Sequence, residues 1–158
     1  MIFRLRDILL SLLFLMLFSP LMLVIILLLS LTQQHIFFVQ LRPGKDERPF
    51  RLVKFSTLHD IREGEKEEEN LQMRLTPMGK WLRRFSLDEL PQLWNVLAGD
   101  MSLVGPRPLL MEYLPLYSEE ENKRHTVKPG ISGWAQIHGR NSLPFKERFQ
   151  LDLWYIEH

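Results

Sequence analysis

The sequence predicts a mainly helical α+β protein with an N-terminal membrane segment (residues 1–34) and a small polar domain (residues 35–158). Three observations support this prediction. Residues 8–31 carry no charge, and 20 of these 24 residues are apolar. In residues 35–55, the apolar and β-prone "IFFVQL" precedes a Pro-Gly turn and the alternating "FRLVKF" follows it, which predicts a β-hairpin. Most of the remaining chain divides into short amphipathic segments and Gly/Pro-rich loops, which predicts helices joined by ordered connections.

The apolar segment is long enough to cross a bilayer, because 24 helical residues at about 1.5 Å each cover a hydrocarbon core of about 30 Å. A cleaved signal peptide is excluded, since the run is too long and no small-residue cleavage site follows it. Ser19 and Pro20 lie near its middle, and Pro20 has no N–H for the Met16 carbonyl. A break there leaves two arms, each too short to span.

The charges that flank the apolar segment bear on its topology. Basic residues occur on both sides of it, and the positive-inside rule then favours both ends in the cytoplasm. They are Arg4 and Arg6 before the run, and Arg42, Lys45, Arg48, Arg51 and Lys54 after it. From the residues alone, a spanning helix with a proline kink and a re-entrant hairpin both remain open.

The segment "LTPMGKWLRRF" predicts a short amphipathic helix. Its aromatic residues beside Lys and Arg suit a helix on an anionic membrane surface, and they equally suit a helix with one face in a core. The formal net charge of +1 gives no basis for binding nucleic acid. The absence of cysteine excludes disulfides and thiolate zinc sites. No pattern in the sequence predicts an oligomeric state.

The sharpest candidate for chemistry is Asp88-Glu89 in "RRFSLDELPQ". Ser86 and Glu89 fit a capping box, which would explain both acids as the first turn of a helix. Pro91 conflicts with that explanation, because it would lie one turn inside the helix and remove a main-chain donor. A helix that begins at Pro91 instead leaves "SLDEL" as a separate turn, which could project the acids into a site. Both interpretations stay open at this point.

Several cations accompany these acids. Arg107 stands between two prolines in "SLVGPRPLL", and a guanidinium on such a stiff backbone suits a phosphate. Arg140 closes the Gly-rich stretch "PGISGWAQIHGR", and Lys54 and Arg83 add further positive charge. Carboxylates and cations beside a membrane segment indicate phosphoryl chemistry on a lipid.

Four motifs carry a resemblance to a known family: "KF-T", "R-SLDELPQL-NVL-GDMSLVGPRP", "RH-VKPGI-GWAQ--GRN" and "F-LD-WY". Together they resemble the bacterial sugar transferases, the monotopic phosphoglycosyl transferases, from about residue 4 to residue 155. The resemblance implies an enzyme at the cytoplasmic face of the bacterial inner membrane. It would move a sugar 1-phosphate from a UDP-sugar to polyprenyl (undecaprenyl) phosphate and release UMP, as the first membrane step of surface glycan synthesis. It also implies a re-entrant hairpin broken at Ser19-Pro20.

The resemblance implies a role for each site residue. Asp88 would be the nucleophile that forms a covalent intermediate, and Glu89 would be a ligand of Mg2+. The resemblance also implies phosphate or nucleotide contacts from Lys54, Arg83, Arg107 and Arg140. It implies that Asp152 is a further polar residue of the site. Two hypotheses compete with the covalent transferase: direct transfer between two bound substrates, and a non-catalytic membrane scaffold of the same fold.

Two departures from the family pattern are present. Ser56 stands where the family carries Arg, and "WYIEH" ends the chain where family members continue for some tens of residues. We therefore expect a C-terminus that is truncated relative to the family. The sugar that is transferred and the glycan pathway are not predicted.

Overall fold

The computed structural model describes residues 2–32, 35–59, 74–139 and 142–158, and it confirms a mainly helical α+β protein. The predicted domain boundary after residue 34 lies next to residues outside these ranges. The helices are α1 (Ile2–Thr32), α2 (Pro77–Arg84), α3 (Gln92–Ala98), α4 (Glu119–Asn122), α5 (Trp134–Ile137) and α6 (Phe145–Glu157). The strands are β1 (Phe37–Pro43), β2 (Pro49–Phe55), β3 (Ser102–Val104) and β4 (Gly130–Ser132). Short 3-10 turns lie at Lys45–Glu47, Leu87–Glu89, Met111–Leu116 and Lys123–Thr126.

Helix α1 is one continuous element that contains Pro20. The helical hydrogen bonding therefore continues through Ser19-Pro20, and the re-entrant break expected at this pair stays a prediction. The physical reason is local: the Ser19 hydroxyl donates to the Met16 carbonyl at 2.8 Å, and this is the carbonyl that Pro20 cannot bond. Of the described residues, only those of α1 form a helix long and apolar enough to cross a membrane. The re-entrant topology stays a prediction.

The N-terminal end of α1 is bonded to the polar domain. The Arg4 guanidinium donates to the carbonyls of Val96 and Leu97, the latter at 2.7 Å. These carbonyls belong to the last turn of α3, where a cation is favoured by the helix dipole. The buried Asp7 carboxylate accepts from the Ser102 hydroxyl at 2.6 Å. Polar contacts therefore fix this end of the membrane segment to α3 and β3.

The C-terminal half of α1 packs on the same domain through an apolar cluster. Its buried members come from α1, β2 and α2 and are Met22, Ile25, Leu29, Phe55 and Leu82. The remaining faces of α1 expose large apolar side chains. Both ends of α1 thus contact the domain, while most of the helix surface is left apolar and uncovered.

The predicted β-hairpin is confirmed. Strands β1 and β2 pair antiparallel, with Phe37 opposite Phe55 at one end and Pro43 opposite Pro49 at the other. Asn95 on α3 joins β2 to the helix, because its Oδ1 accepts from the Val53 N–H at 3.1 Å and its Nδ2 donates to a β2 carbonyl at 2.7 Å. The hairpin is therefore fixed to the helix that follows the Asp88-Glu89 turn.

The segments "SLVGPRPLL" and "PGISGWAQIHGR" were expected as loops. Each contains a short strand, and the two strands pair with each other. Strand β3 lies parallel to β4, with Ser102 opposite Gly130 and Val104 opposite Ser132. A Cβ atom on Gly130 would lie 2.1 Å from the Gly105 nitrogen, so only glycine fits there. The glycines serve a close approach of chain to chain, and this pairing holds the loop that carries Arg107.

Candidate active site

Asp88 and Glu89 occupy the 3-10 turn Leu87–Glu89 between α2 and α3. Ser86, which precedes the turn, has φ of 55° in the left-handed region and makes no capping hydrogen bond with its side chain. Helix α3 begins after Pro91 as its N-terminal cap. The capping-box interpretation is therefore wrong, and the separate turn is confirmed. A left-handed serine costs of order 1 kcal/mol, which is typical of a backbone held in place at a functional site.

Glu89 is held between two cations. Its Oε1 atom accepts from Lys54 Nζ at 2.8 Å and from Arg107 Nη2 at 2.5 Å. Burial alone would raise the pKa of Glu89, but the hydrogen bonds and charges of Arg107 and Lys54 outweigh it and lower the pKa below its ordinary value. Glu89 is therefore ionised at neutral pH, and it brings Lys54 from β2 and Arg107 from the Pro-rich loop to one point.

Asp88 is in a different environment, with only 8% of its surface exposed. Burial raises the pKa of Asp88 above its ordinary value and the neighbouring Glu89 charge adds to this, while the positive charges of Lys54 and Arg83 oppose it. Arg83 is oriented by Thr57, whose hydroxyl accepts from the Arg83 Nε at 2.9 Å. The two adjacent acids therefore differ in how they interact with cations. Glu89 forms ion pairs, and Asp88 interacts electrostatically with Lys54 and Arg83.

Asp152 reaches the site through another residue. Its carboxylate forms a buried ion pair with Arg124 at 2.8 Å, and burial raises the pKa of Asp152 to about 6 against the opposing charge of Arg124. The same Arg124 nitrogen donates to the Arg107 carbonyl at 2.7 Å. Asp152 thus supports the backbone of Arg107 by way of Arg124.

Sequence reasoning missed Arg124, Thr57 and Asn95 as supporting residues. Arg124 opens the "RH-VKPGI" motif, so a signal for it was present in the sequence. Of the other predicted positions, Ser56 donates its hydroxyl to the Leu58 carbonyl at 3.2 Å. Arg140 lies outside the described residues, and its predicted phosphate contact stays a prediction.

The donor chemistry at Asp88 and Glu89 fits the Mg2+ that the resemblance implies. Mg2+ prefers hard oxygen ligands and is usually bound by one or two carboxylates, water and substrate phosphates. The turn offers two adjacent carboxylates. Within the described ranges, no group of three or more acidic or histidine side chains could hold a metal by itself. Asp88 and Glu89 are the residues that would hold Mg2+, and this assignment stays a prediction.

Comparisons with known proteins show the family of the chain. The family model described as "Bacterial sugar transferase" matches residues 1–158. The "Uncharacterized sugar transferase EpsL" of Bacillus subtilis (strain 168) is 55% identical over 122 residues, which are 77% of this chain and 60% of the relative. The UDP-N-acetylgalactosamine-undecaprenyl-phosphate N-acetylgalactosaminephosphotransferase of Aeromonas hydrophila is 40% identical over 160 residues, which cover 96% of this chain and 38% of the relative. The UDP-glucose:undecaprenyl-phosphate glucose-1-phosphate transferase of Escherichia coli (strain K12) is 41% identical over 165 residues, which cover 97% of this chain and 35% of the relative. The chain thus spans 35% to 60% of the length of these relatives.

Proposed function

We propose that this chain, which belongs to the bacterial sugar transferase family, transfers a sugar 1-phosphate from a UDP-sugar to undecaprenyl phosphate. The products are undecaprenyl diphosphate-sugar and UMP, and the reaction begins the synthesis of a surface glycan. The names of the Aeromonas and Escherichia relatives describe transfers of this kind. The observation that carries the proposal is the buried Asp88 beside a Glu89 that holds Lys54 and Arg107 at one point.

The proposed route has two displacements at phosphorus. An Asp88 carboxylate oxygen attacks the β-phosphorus of the UDP-sugar, and the bond to the bridging oxygen breaks. UMP leaves with the electron pair of that bond, and a sugar-phosphoryl aspartate remains. An oxygen of undecaprenyl phosphate then attacks the same phosphorus and releases Asp88. Both nucleophiles are anions, so neither step requires a general base.

The surrounding charges support this route. The diphosphate repels an attacking carboxylate, and the cations Lys54, Arg83 and Arg107 offset that repulsion. Glu89 keeps two of them in place through its ion pairs. Glu89 and the diphosphate oxygens would hold Mg2+, which when bound neutralises phosphate charge. Burial of Asp88 also leaves its carboxylate less hydrated, as an oxygen nucleophile requires.

We also propose that the protein enters the membrane from the cytoplasmic face without crossing it. The ends of a straight spanning helix lie on opposite sides of a core about 30 Å thick. In α1 the end with Arg4 and Asp7 and the end with Leu29 both contact one small domain. Two exposed aromatic side chains, Trp81 on α2 and Phe85 directly after it, suit the bilayer interface.

The test of the catalytic proposal is UMP release across a panel of UDP-sugars in the presence of undecaprenyl phosphate. Asp88→Asn should lower the rate by at least about 1,000-fold, which is the size of effect expected for loss of a nucleophile. Glu119→Gln, an exposed acid at the start of α4, is the matched control and should keep the wild-type rate. Wild-type rates for Asp88→Asn would refute the catalytic role of Asp88, and a wild type that releases no UMP from any donor would favour the scaffold.

A further inference from the structure

Asp7 is an acid on the membrane helix α1, directly before the uncharged run of residues 8–31. It lies beyond the first turn of α1, the turn in which the helix dipole favours an acid. The residue is buried, with 4% of its surface exposed. An acid in a long apolar helix is costly, and such acids usually face protein and serve a function. Asp7 therefore requires an explanation that neither helix formation nor membrane insertion supplies.

The carboxylate of Asp7 is bonded to the polar domain. Its Oδ2 atom accepts from the Ser102 hydroxyl at 2.6 Å. Its Oδ1 atom lies 3.2 Å from Nη2 of Arg6, whose side chain is 43% exposed. A hydrogen bond to a carboxylate is short and strong, whereas an ion pair with an exposed partner contributes little. Among the described residues, Ser102 is therefore the partner that explains the burial of Asp7.

Ser102 is the first residue of β3, and the chain runs from β3 into the Pro-rich loop that carries Arg107. Strand β3 pairs with β4, which also has three residues, and two such short strands are marginally stable on their own. Prolines on both sides of Arg107 stiffen its backbone, so a shift of β3 moves the guanidinium as well. Since Arg107 donates to Glu89 at 2.5 Å, the anchor at Ser102 influences where these two side chains meet.

Other contacts limit what the loss of this anchor would do. Arg4 donates to two carbonyls at the end of α3, so α1 stays attached to the domain without Asp7. At the other end of β3, the Tyr155 hydroxyl on α6 donates to the Val104 carbonyl at 2.9 Å. Removing the Asp7 carboxylate should therefore loosen β3 and the loop after it, while α1 and α3 remain joined.

We propose that Asp7 is a positioning residue of the transfer reaction, which holds Ser102 and so places Arg107 beside Glu89. This inference rests on the proposed function, in which Arg107 offsets the charge of the diphosphate. Asp7 acts through β3, and it makes no hydrogen bond to the Asp88-Glu89 turn among the described residues. The membrane helix is thus linked to the phosphate-binding guanidinium by one side-chain hydrogen bond.

The first test is amide hydrogen exchange of the full chain in detergent, without substrates. The variants are Asp7→Ala, Ser102→Ala and, as matched control, Arg6→Gln, which removes the exposed partner of the same carboxylate. Exchange in residues 102–107 should become about 10-fold faster in the first two variants, the usual effect of losing a hydrogen bond to a charged group. Helix α3 should keep its wild-type exchange, because Arg4 still bonds it, and Arg6→Gln should change neither segment.

The second test is UMP release by Asp7→Ala in two backgrounds, wild type and Arg107→Lys. In the wild-type background, kcat/KM should fall by about 10-fold. In Arg107→Lys the same change should cost less than about threefold, because a flexible lysine depends less on the backbone position than a planar guanidinium does. Equal losses of kcat/KM in the two backgrounds would overturn the inference.

Unchanged exchange in residues 102–107 would also overturn it, as would equal acceleration of these residues and α3, since Asp7 would then only stabilise the fold. If Asp7→Ala does not fold, Ser102→Ala decides by the same measurements. Exchange requires no transfer, so it separates this inference from the proposed function. Local acceleration in a protein that releases no UMP would refute the function and keep the link from Asp7 to the Arg107 loop. Transfer by the wild type with unchanged exchange in both variants would do the reverse.

Discussion

The Arg124 guanidinium and the Asp152 carboxylate form a buried ion pair 2.8 Å apart, and the pair connects helix α6 to the loop that carries Arg107. The nitrogen that bonds Asp152 also donates to the Arg107 carbonyl at 2.7 Å. The position of Arg107, which bonds Glu89, therefore depends on an acid that does not itself contact the Asp88-Glu89 turn.

Asp152→Asn should lower the free energy of unfolding by about 3 kcal/mol, because Arg124 then remains buried without its partner. The double variant Arg124→Met, Asp152→Leu removes both charges and should recover much of that stability. It should not recover transfer, because the Arg107 carbonyl still lacks its donor. Chemical denaturation and UMP release measure the two quantities. Transfer that returns together with stability would show that the pair has no role in placing Arg107.

Lys54→Met should move the acidic limb of the pH–rate profile to higher pH. The Lys54 charge lowers the pKa of Asp88 and of Glu89, so its removal raises both. The proposed reaction requires ionised Asp88, and a higher pKa means that this form appears only at higher pH. The measurement is kcat/KM against pH, with Lys80→Met on the exposed side of α2 as control. An unmoved limb in Lys54→Met would contradict the assigned electrostatics.

Asn95→Ala should destabilise the fold by about 2 kcal/mol, since it leaves the Val53 N–H and the Arg51 carbonyl without partners. Transfer should fall as well, because β2 carries Lys54 to Glu89. The control is Lys80→Ala, a substitution at an exposed position of α2. Equal stability of the two variants in thermal unfolding would show that Asn95 does not hold the hairpin on α3.

Single cysteines test the topology of α1, and the chain has none of its own. Phe3→Cys and Phe85→Cys place a thiol at the N-terminal end of α1 and at the end of α2, both at exposed positions. We expect an impermeant maleimide to label both from the same side of inverted membrane vesicles. Labelling of the two positions from opposite sides would show that α1 crosses the bilayer.

Local patterns predicted the elements that depend on neighbouring residues. The hairpin followed from β-prone segments on both sides of a turn. Ser118 and Glu121, which have the S-x-x-E spacing, form a capping box in the structure. Ser86 and Glu89 have the same spacing, yet the box does not form. The Glu89 carboxylate bonds Lys54 and Arg107, which lie 35 and 18 residues away. Ion pairs with distant cations outweigh one local hydrogen bond, and this competition is not visible in a four-residue pattern.

Other features depend on contacts that a sequence pattern does not contain. The β3–β4 pairing joins two three-residue segments, each too short to carry an alternation of its own. Pro20 predicted a break, but a hydrogen bond from Ser19 to Met16 lets the helix continue. The candidate acids and the cations beside them were predicted from the chain, whereas the supporting residues Arg124, Thr57 and Asn95 were not.

The covalent role of Asp88 is tested most directly without the lipid substrate. The protein is incubated with an accepted UDP-sugar, Mg2+ and labelled UMP, and the peptide that contains Asp88 is then analysed by mass spectrometry. We predict that label enters the UDP-sugar and that Asp88 gains the mass of a sugar phosphate, and that Asp88→Asn loses both signals. An absence of exchange and an unmodified Asp88, in a preparation that completes transfer once undecaprenyl phosphate is added, would contradict the covalent route.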